Sequence, residues 1–233
     1  MPHEPLAVIF RLGSPVAVGP HPLTLDAILG AAAAEVRHGV GWADRHPTDL
    51  EWQDDLDLPL SMVGRRHVFY RASQAWFPRR RLLGAEGFVK TWSAGPDERW
   101  LGSGRRGGGS IDTHRGLFKG YQETVRSITA PHVVFFAHGD GRAVADLARR
   151  VAAIGRKREI GFGRVRECAV RRFPLDLALW YRGLPQRPIP VDEAAATPGA
   201  PSHVDAPVTM LAFRAPGWWS ENQAFCYRPE WVI

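Results

Sequence analysis

The sequence predicts an α+β fold whose elements follow the order strand, helix, strand, strand, helix, strand. Two observations lead to this order. Apolar stretches rich in β-branched residues recur along the 233 residues and end at Gly or Pro. Two of the segments between them carry apolar residues at helical spacing, between recognisable start and stop signals.

The N-terminal part predicts a strand, a helix and a second strand. Residues 6–18 are apolar and end at Gly19-Pro20, which is typical of a strand. Thr24 is a plausible N-cap for the helix that follows, and Gly39 ends it. The apolar residues of this helix recur at helical spacing: Leu25, Ile28, Leu29, Ala32 and Val36. Residues 67–76 predict the second strand.

The second part repeats the pattern. Residues 117–128 and 132–137 predict strands, and a turn at Gly139-Asp140-Gly141 leads into a helix over 142–154 with Gly155 as its C-cap. Residues 164–173 predict the last strand. The order βαββαβ is that of ferredoxin-like domains, the topology also of RNA-recognition modules (RRM). We therefore expect one such domain over residues 1–173.

Residues 77–116 differ in composition from the rest of this domain. They hold 9 of the 24 glycines and eight Lys or Arg residues, and begin at Arg79-Arg80-Arg81. We expect an inserted β-hairpin, a basic thumb that grips a single strand while aromatic rings stack on bases. Residues 88–92 and 98–101 would form its strands. A surface loop without regular structure remains the alternative.

The remaining 60 residues predict a C-terminal extension, 174–233. Residues 188–207 hold five prolines and few apolar side chains, which predicts a mobile loop. The tail after it is rich in Trp, Phe and Tyr, and these side chains could dock onto the domain or onto a partner.

Composition excludes several classes of protein. The chain is 45% hydrophobic and 23% charged, as in ordinary globular proteins. No stretch approaches the roughly 18 apolar residues of a membrane span, and the start lacks a secretory pattern. Two cysteines, Cys168 and Cys226, make no disulfide framework and no thiol zinc site. We expect a cytoplasmic protein with no membrane contact and no cofactor.

The net charge of +6 is unevenly distributed. Residues 77–173 hold 20 basic and 9 acidic residues, whereas residues 1–76 hold 6 and 9, and residues 174–233 hold 4 and 6. A central basic segment of this kind favours a polyanion partner, and nucleic acid is the preferred interpretation over a scattered solvated surface.

The strongest motif in this segment is Ile154–Val165, IGRKREIGFGRV. Its glycines permit positive φ, and successive backbone N–H groups in such a loop make an anion-binding concavity. The same stretch adds side-chain charge that suits an RNA backbone. Helix capping would explain one glycine and one or two of the charges. The candidate RNA-binding residues are Gly155, Arg156, Lys157, Arg158, Gly161, Phe162, Gly163 and Arg164, with Arg149 and Arg150 before them and Arg79, Arg80, Arg81, Trp92, Arg105 and Arg106 in the insertion.

Catalytic signals are weak. Metal-independent RNA cleavage needs a general acid and base close together. His21, His38 and His114 are candidates, with Tyr70 or Lys119 assisting, but no spacing selects among the nine histidines. The acidic run 44–57 could bind Mg²⁺ but is more simply a solvated face. We expect no catalytic residue and no metal site.

The glycine-rich motif after a helix, together with PLTLDAILGAAAAEV after the first strand, resembles the RAMP superfamily of CRISPR-associated proteins. Its shared mark is a glycine-rich loop that follows the second helix of a ferredoxin-like fold. The size, the insertion and the Trp-rich tail are most similar to the type IV (Csf) small RAMP subunit, the counterpart of the Cas-five handle-capping group. The resemblance covers residues 5–173.

This resemblance implies a function. Such a subunit is non-catalytic, caps one end of a CRISPR ribonucleoprotein, holds the 5′ handle of the crRNA and contacts the backbone RAMP subunits. A secondary hypothesis adds target DNA near the flanking motif. Two alternatives stay open: a metal-independent endoribonuclease that processes CRISPR repeat RNA, and, with no specific support, a small-molecule enzyme.

Overall fold

In the described part of the chain, backbone pairing and side-chain alternation define short strands and two α-helices. The computed structural model describes residues 2–39, 57–90, 120–217 and 219–230. The strands in these ranges are β1 Glu4–Leu12, β2 Val16–Val18, β3 Met62–Val63, β4 Phe69–Tyr70, β5 Leu82–Lys90, β6 Tyr121–Thr129, β7 His132–Gly139, β8 Val165–Arg172, β9 Trp180–Tyr181, β10 Leu184–Pro185, β11 Ile189–Pro190, β12 Val208–Ala212 and β13 Gln223–Tyr227. The α-helices are α1 Leu25–His38 and α2 Gly141–Ala148. None of the helices in these ranges is long and apolar enough to cross a membrane.

The main core lies under an antiparallel sheet with strand order β7-β1-β8. Alternate residues of β1 point to one face, so Leu6, Val8 and Phe10 are buried together. The apolar stripes of α1 and α2 pack against this face, with Leu25, Leu29 and Val144 fully buried. The sheet thus places β8, with its arginines, at an edge.

The prediction for α1 is confirmed. The helix follows Thr24, whose φ of −104° and ψ of 151° are those of an N-cap residue, although its side chain makes no capping bond. Gly39 ends the helix at a φ of 85°, and its N–H donates to the Glu35 carbonyl at 2.9 Å.

The prediction for the second helix is correct at its start and wrong at its end. The Asp140 carboxylate accepts hydrogen bonds from the N–H groups of Arg142 and Ala143 and so caps α2. Hydrogen bonds to these N–H groups lower the pKa of Asp140. The helix stops at Ala148 instead of continuing to 154, because the Ala152 carbonyl accepts from the N–H of Val165 and residue 153 pairs with residue 164.

The predicted ferredoxin-like βαββαβ fold is wrong. The described residues form mainly β structure, with thirteen strands distributed over five sheets of two or three strands. The predicted first strand, 6–18, is split into β1 and β2. The C-terminal residues, expected to be an extension, contribute five of the strands.

The predicted second strand, 67–76, shows the physical reason. Only Phe69–Tyr70 is a regular strand, β4, and it pairs with β3. Residues 72 and 76 make isolated bridges to β7. Several other backbone groups bond outside these strands, since the Tyr70 and Ala72 carbonyls accept from the Arg187 guanidinium and the Gln74 N–H donates to the Gln186 carbonyl at 2.6 Å.

Contacts separate the chain into two compact units, Leu83–Ser127 and the remainder. Within Leu83–Ser127, β5 and β6 are neighbours in one sheet. The thumb was predicted over 77–116. Residues 88–90 of the predicted hairpin strand 88–92 lie in β5, whereas residues 91–119 lie outside the described ranges, so the strand 98–101 and the hairpin itself stay a prediction.

The C-terminal residues build a second core around Trp180, Ile189, Leu211 and Cys226, and Phe69 joins them. Arg187, 1% exposed, lies at its border and pairs with the equally buried Asp26 of α1 at 3.1 Å. The segment 188–207 includes β11 and a 3-10 turn, and Glu193 within it accepts hydrogen bonds from the N–H groups of residues 65–67 at 2.6–3.1 Å. These are defined contacts; the mobility of this segment and a domain boundary at 173 stay predictions.

Candidate nucleic-acid interface

The glycine-rich segment is a short loop closed by its own backbone. The Ile154 N–H donates to the Gly163 carbonyl at 2.9 Å, and residues 153 and 164 pair beside it. The first and last residues of the loop, 154 and 163, are therefore hydrogen-bonded neighbours, and β8 begins two residues after the loop closes. This closure presents residues 155–162 as a compact unit at the edge of the main sheet.

Four positions in the loop need a left-handed backbone. Gly155, Gly161 and Gly163 have φ of 84°, 98° and 67°, a conformation that glycine adopts without steric cost. Lys157 also has a φ of 57°, although it carries a side chain. A non-glycine residue in this region is uncommon, and such residues cluster at functional sites.

Two glycines are also required by lack of space. A β-carbon on Gly163 would meet the Ile154 carbonyl oxygen at 1.8 Å, and one on Gly155 would meet the Ala17 carbonyl oxygen at 2.5 Å. Gly161 has nothing within 4 Å of such a β-carbon. Lack of space thus requires glycine at positions 155 and 163, whereas at position 161 only the positive φ favours it.

The loop's support is β2 together with the connection that leads into it from β1. The Gly163 N–H donates to the Pro15 carbonyl at 2.7 Å, and the Arg156 N–H donates to the Ala17 carbonyl at 2.9 Å. The Ser14 hydroxyl donates to the Gly161 carbonyl at 2.7 Å and accepts from the Arg164 N–H at 2.9 Å. Sequence reasoning missed Ser14; the Gly-Ser-Pro break inside the apolar N-terminal run was the signal for it.

These bonds change the expected chemistry of the loop. The N–H groups of residues 156 and 160–164 donate within the chain, so at these positions they do not form the anion-binding concavity that the sequence predicted. Phe162, expected to contact RNA, is 6% exposed and packs inward. Any affinity of the loop for an anion must therefore come mainly from side chains.

The side chains at the loop surface are basic. Arg156, Arg158 and Arg164 are exposed, and Lys157 is partly exposed. The Arg156 side chain packs on Gly19, where an added β-carbon would lie 2.9 Å from the Arg156 Cδ. The Arg166 side chain packs on Gly13, where an added β-carbon would lie 3.0 Å from the Arg166 Nε. Gly13 and Gly19 therefore leave room for two arginines beside the loop, a role that sequence reasoning did not assign to them.

The positive surface continues onto the end of α2. Arg149 and Arg150 are exposed, and Arg149 pairs with Asp146 at 2.5 Å. Together with Arg166 they line a shallow cleft of about 510 Å³. Residues 149–172 contain nine basic and two acidic residues. The cleft is lined by three arginines and one acid, Glu167, and such a mainly positive surface beside the loop can attract the phosphates of a nucleic acid.

The predicted residues of the insertion are not brought to this surface by any contact in the described ranges. Arg79 and Arg80 are exposed, and the Arg81 guanidinium donates to the nearby Pro78 carbonyl at 3.4 Å. Trp92, Arg105 and Arg106 lie outside the described residues.

Of the candidate acid–base residues, His21, His38 and Tyr70 lie in different segments of the described chain. His21 is exposed and lines a cleft of about 460 Å³ together with Gly155 and Arg156, while His38 ends α1. Burial raises the pKa of the Tyr70 phenol, whose ring lies in β4. His114 and Lys119 lie outside the described ranges.

The described ranges hold neither a reactive thiol nor a group of side chains that could bind a metal ion. Burial raises the pKa of Cys226 to about 12 and raises that of Cys168, so both thiols stay protonated at neutral pH. No group of three His, Cys, Asp or Glu side chains in the described residues could hold a metal ion. Residues 44–56 of the acidic run lie outside these ranges, so the Mg²⁺ interpretation of that run stays untested.

A comparison with protein families identifies the chain. Residues 86–229, more than half of the chain, match a family of proteins associated with type IV CRISPR systems. The chain belongs to the family described as CRISPR type IV associated protein Csf3. The sequence-based assignment to a type IV Csf subunit is thereby confirmed. The matched range includes the glycine-rich loop and most of the C-terminal extension, whereas the resemblance was expected over 5–173. A search of curated proteins found no match.

Family membership has a consequence for partners. A type IV CRISPR-associated subunit associates with the other subunits of its complex. No catalytic activity is indicated for the family.

Proposed function

We propose that this chain is a non-catalytic subunit of a type IV CRISPR ribonucleoprotein that binds the 5′ handle of the crRNA and caps the backbone subunits. The observation that carries the proposal is the glycine-rich loop. It is fixed to β2 and to the β1–β2 connection by four hydrogen bonds from backbone and hydroxyl groups, and it presents exposed arginines at positions 156, 158 and 164.

The chemistry of the loop suits recognition of backbone and shape. The exposed arginine side chains can contact phosphates in bidentate geometry. In guide-RNA complexes base pairing reads the sequence, and protein contacts hold the backbone. The insertion would act as the thumb next to the first backbone subunit, and target DNA near the flanking motif would be a second ligand.

The test is binding of labelled CRISPR repeat RNA to the full chain in EDTA, followed on native and denaturing gels. We expect a shift without cleavage. The triple variant Arg156→Gln, Arg158→Gln, Arg164→Gln should weaken binding at least tenfold. The matched control Arg65→Gln, Arg66→Gln, Arg228→Gln removes the same charge from exposed positions outside the loop and should retain most of the affinity. Equal losses in the two variants, or no binding by the wild type alone or with its partner subunits, would refute the proposal.

One observation supports a second candidate, the repeat-processing endoribonuclease. The His21 imidazole lines the same cleft as Arg156, so a general acid–base group and a cation share one depression of about 460 Å³. Specific cleavage on the denaturing gel, abolished by His21→Ala and retained in His203→Ala, would favour this function over the non-catalytic one.

A further inference from the structure

The C-terminal sheet has one buried face and one exposed apolar face. Its strand order is β11-β13-β12. Leu211 and Cys226 point inward and are 7% and 0% exposed. On the opposite face four apolar residues are exposed: Val191 by 40%, Val208 by 49%, Met210 by 49% and Phe225 by 64%. We call these four residues the C-terminal apolar face.

The strand register makes these residues neighbours. Met210 pairs with Phe225 across β12 and β13, and Val208 lies two residues before Met210, on the same side of its strand. The Val191 N–H donates to the Phe225 carbonyl at 3.0 Å, which continues the β11 pairing by one residue. Val191, Phe225 and Met210 therefore form one row across the sheet.

A continuous apolar row of this kind differs from scattered exposed residues. Single exposed apolar side chains are ordinary, whereas contiguous apolar patches with a polar rim mark interaction sites. Aromatic residues and Met are enriched at the centres of protein interfaces, and this face centres on Phe225 and Met210.

The charges around the face indicate what it binds. Asp192 follows Val191, Asp205 lies three residues before β12, and Glu221 lies two residues before β13; all three are exposed. Arg228, after β13, is the one exposed Lys or Arg within three residues of these strands in the described ranges, and the His67 imidazole lies 3.5 Å from the Asp192 carboxylate. An apolar centre with a mainly acidic rim disfavours nucleic acid and fits a protein surface with a basic rim.

We propose that the C-terminal apolar face docks a neighbouring protein subunit of the type IV complex, through a partner surface that is apolar at its centre and basic at its rim. This contact uses a different part of the molecule from the glycine-rich loop. Loss of docking and loss of RNA binding are therefore separable.

The test uses the full chain co-expressed with the other protein subunits of its complex and purified through a tag on this chain. The double variant Met210→Thr, Phe225→Thr keeps strand-forming side chains and removes the apolar row. We expect it to weaken subunit binding at least tenfold by biolayer interferometry while binding of repeat RNA stays within twofold of the wild type. Val36→Thr with Leu175→Thr, which alters two exposed apolar residues elsewhere, should assemble normally.

A second variant keeps the proposal falsifiable if the first one unfolds. Asp205→Lys with Glu221→Lys reverses two rim charges and leaves the apolar residues in place. It should also weaken subunit binding, and raised salt should reduce the difference from the wild type. Wild-type assembly by both variants would overturn the proposal. So would loss of RNA binding alone, which would make the face a nucleic-acid site, or concentration-dependent self-association of the wild type that the double variant abolishes, which would make the partner a second copy.

Discussion

The backbones of Gly163 and Ile154 are in close contact where the glycine-rich loop closes. The Ile154 N–H donates to the Gly163 carbonyl at 2.9 Å, and a β-carbon on Gly163 would lie 1.8 Å from the Ile154 carbonyl oxygen. The loop therefore closes only when residue 163 has no side chain. The basic surface depends on this closure, because the positions of Arg156 and Arg164 follow from it.

We predict that Gly163→Ala destabilises the protein far more than Gly161→Ala. Both positions have positive φ, so each substitution costs about 1–2 kcal/mol for a left-handed backbone. Only position 163 also forces the backbone apart, and we expect a total of at least about 3 kcal/mol there. Thermal unfolding followed by circular dichroism should show a fall in Tm of roughly 6 °C or more for Gly163→Ala. Equal falls for the two variants would mean that the loop opens without cost.

The salt dependence of RNA binding should report the number of phosphate contacts made by the loop. Each phosphate neutralised on a single strand contributes about 0.7 to the slope of log Kobs against log salt. The variant with Gln at positions 156, 158 and 164 should therefore lower the slope by about 2. Fluorescence anisotropy between low and moderate salt measures it. A weaker affinity at unchanged slope would show that these arginines position the loop and do not contact phosphates.

The buried pair of Asp26 and Arg187 should behave as part of a larger network. Arg187 also donates to the carbonyls of Tyr70, Ala72 and Phe213 and stacks on the Phe69 ring, 5.2 Å from its centroid. Arg187→Met should cost about 3–5 kcal/mol, because it leaves a buried carboxylate without its partner.

The double variant Asp26→Asn, Arg187→Met tests this network. It should recover only part of the loss, since the three carbonyls remain without their donor. Urea unfolding of the two single variants and the double variant gives the coupling energy. Complete recovery would show that the carbonyls find other donors.

Stability should fall as the pH drops below the ordinary pKa of histidine, and His138 should contribute to that fall. Burial, followed by the nearby Arg71 guanidinium, lowers the pKa of His138. The Ser61 hydroxyl lies 2.8 Å from its Nδ1 and 2.8 Å from that of His3, and Arg71 pairs with Asp176. Because the unfolded chain takes up the proton at higher pH than the folded one, stability is lost as pH falls through 6.5 and levels off below the folded pKa.

His138→Asn should therefore lower stability at pH 7.5 but flatten its dependence between pH 7 and 5. His203→Asn, on an exposed stretch, should leave the pH dependence as it is. Tm of the wild type and of both variants, measured between pH 7.5 and 5, tests this difference. An unchanged slope in His138→Asn would assign the acid sensitivity to other groups.

The local elements could be predicted from sequence because their signals are local. The apolar stripe of helix α1, its N-cap Thr24 and its C-cap Gly39 lie within sixteen residues, and the alternation in β7 depends only on its own side chains. The loop could be located from its glycines and arginines for the same reason. Its support could not, since Ser14 lies 147 residues from Gly161 in the chain.

The sequence alone determined the family, the segregation of positive charge, α1, the start of α2 and the position of the glycine-rich loop. The tertiary structure decided the rest: where α2 ends, why residues 67–76 form only a two-residue strand, and that Phe162 and most of the loop N–H groups face inward. The physical reason is that each buried backbone N–H or C=O group needs a hydrogen-bond partner, and the tertiary fold determines which partner is near it. Arg187 reaches carbonyls 115 and 117 residues away, and no local pattern of residues encodes that choice.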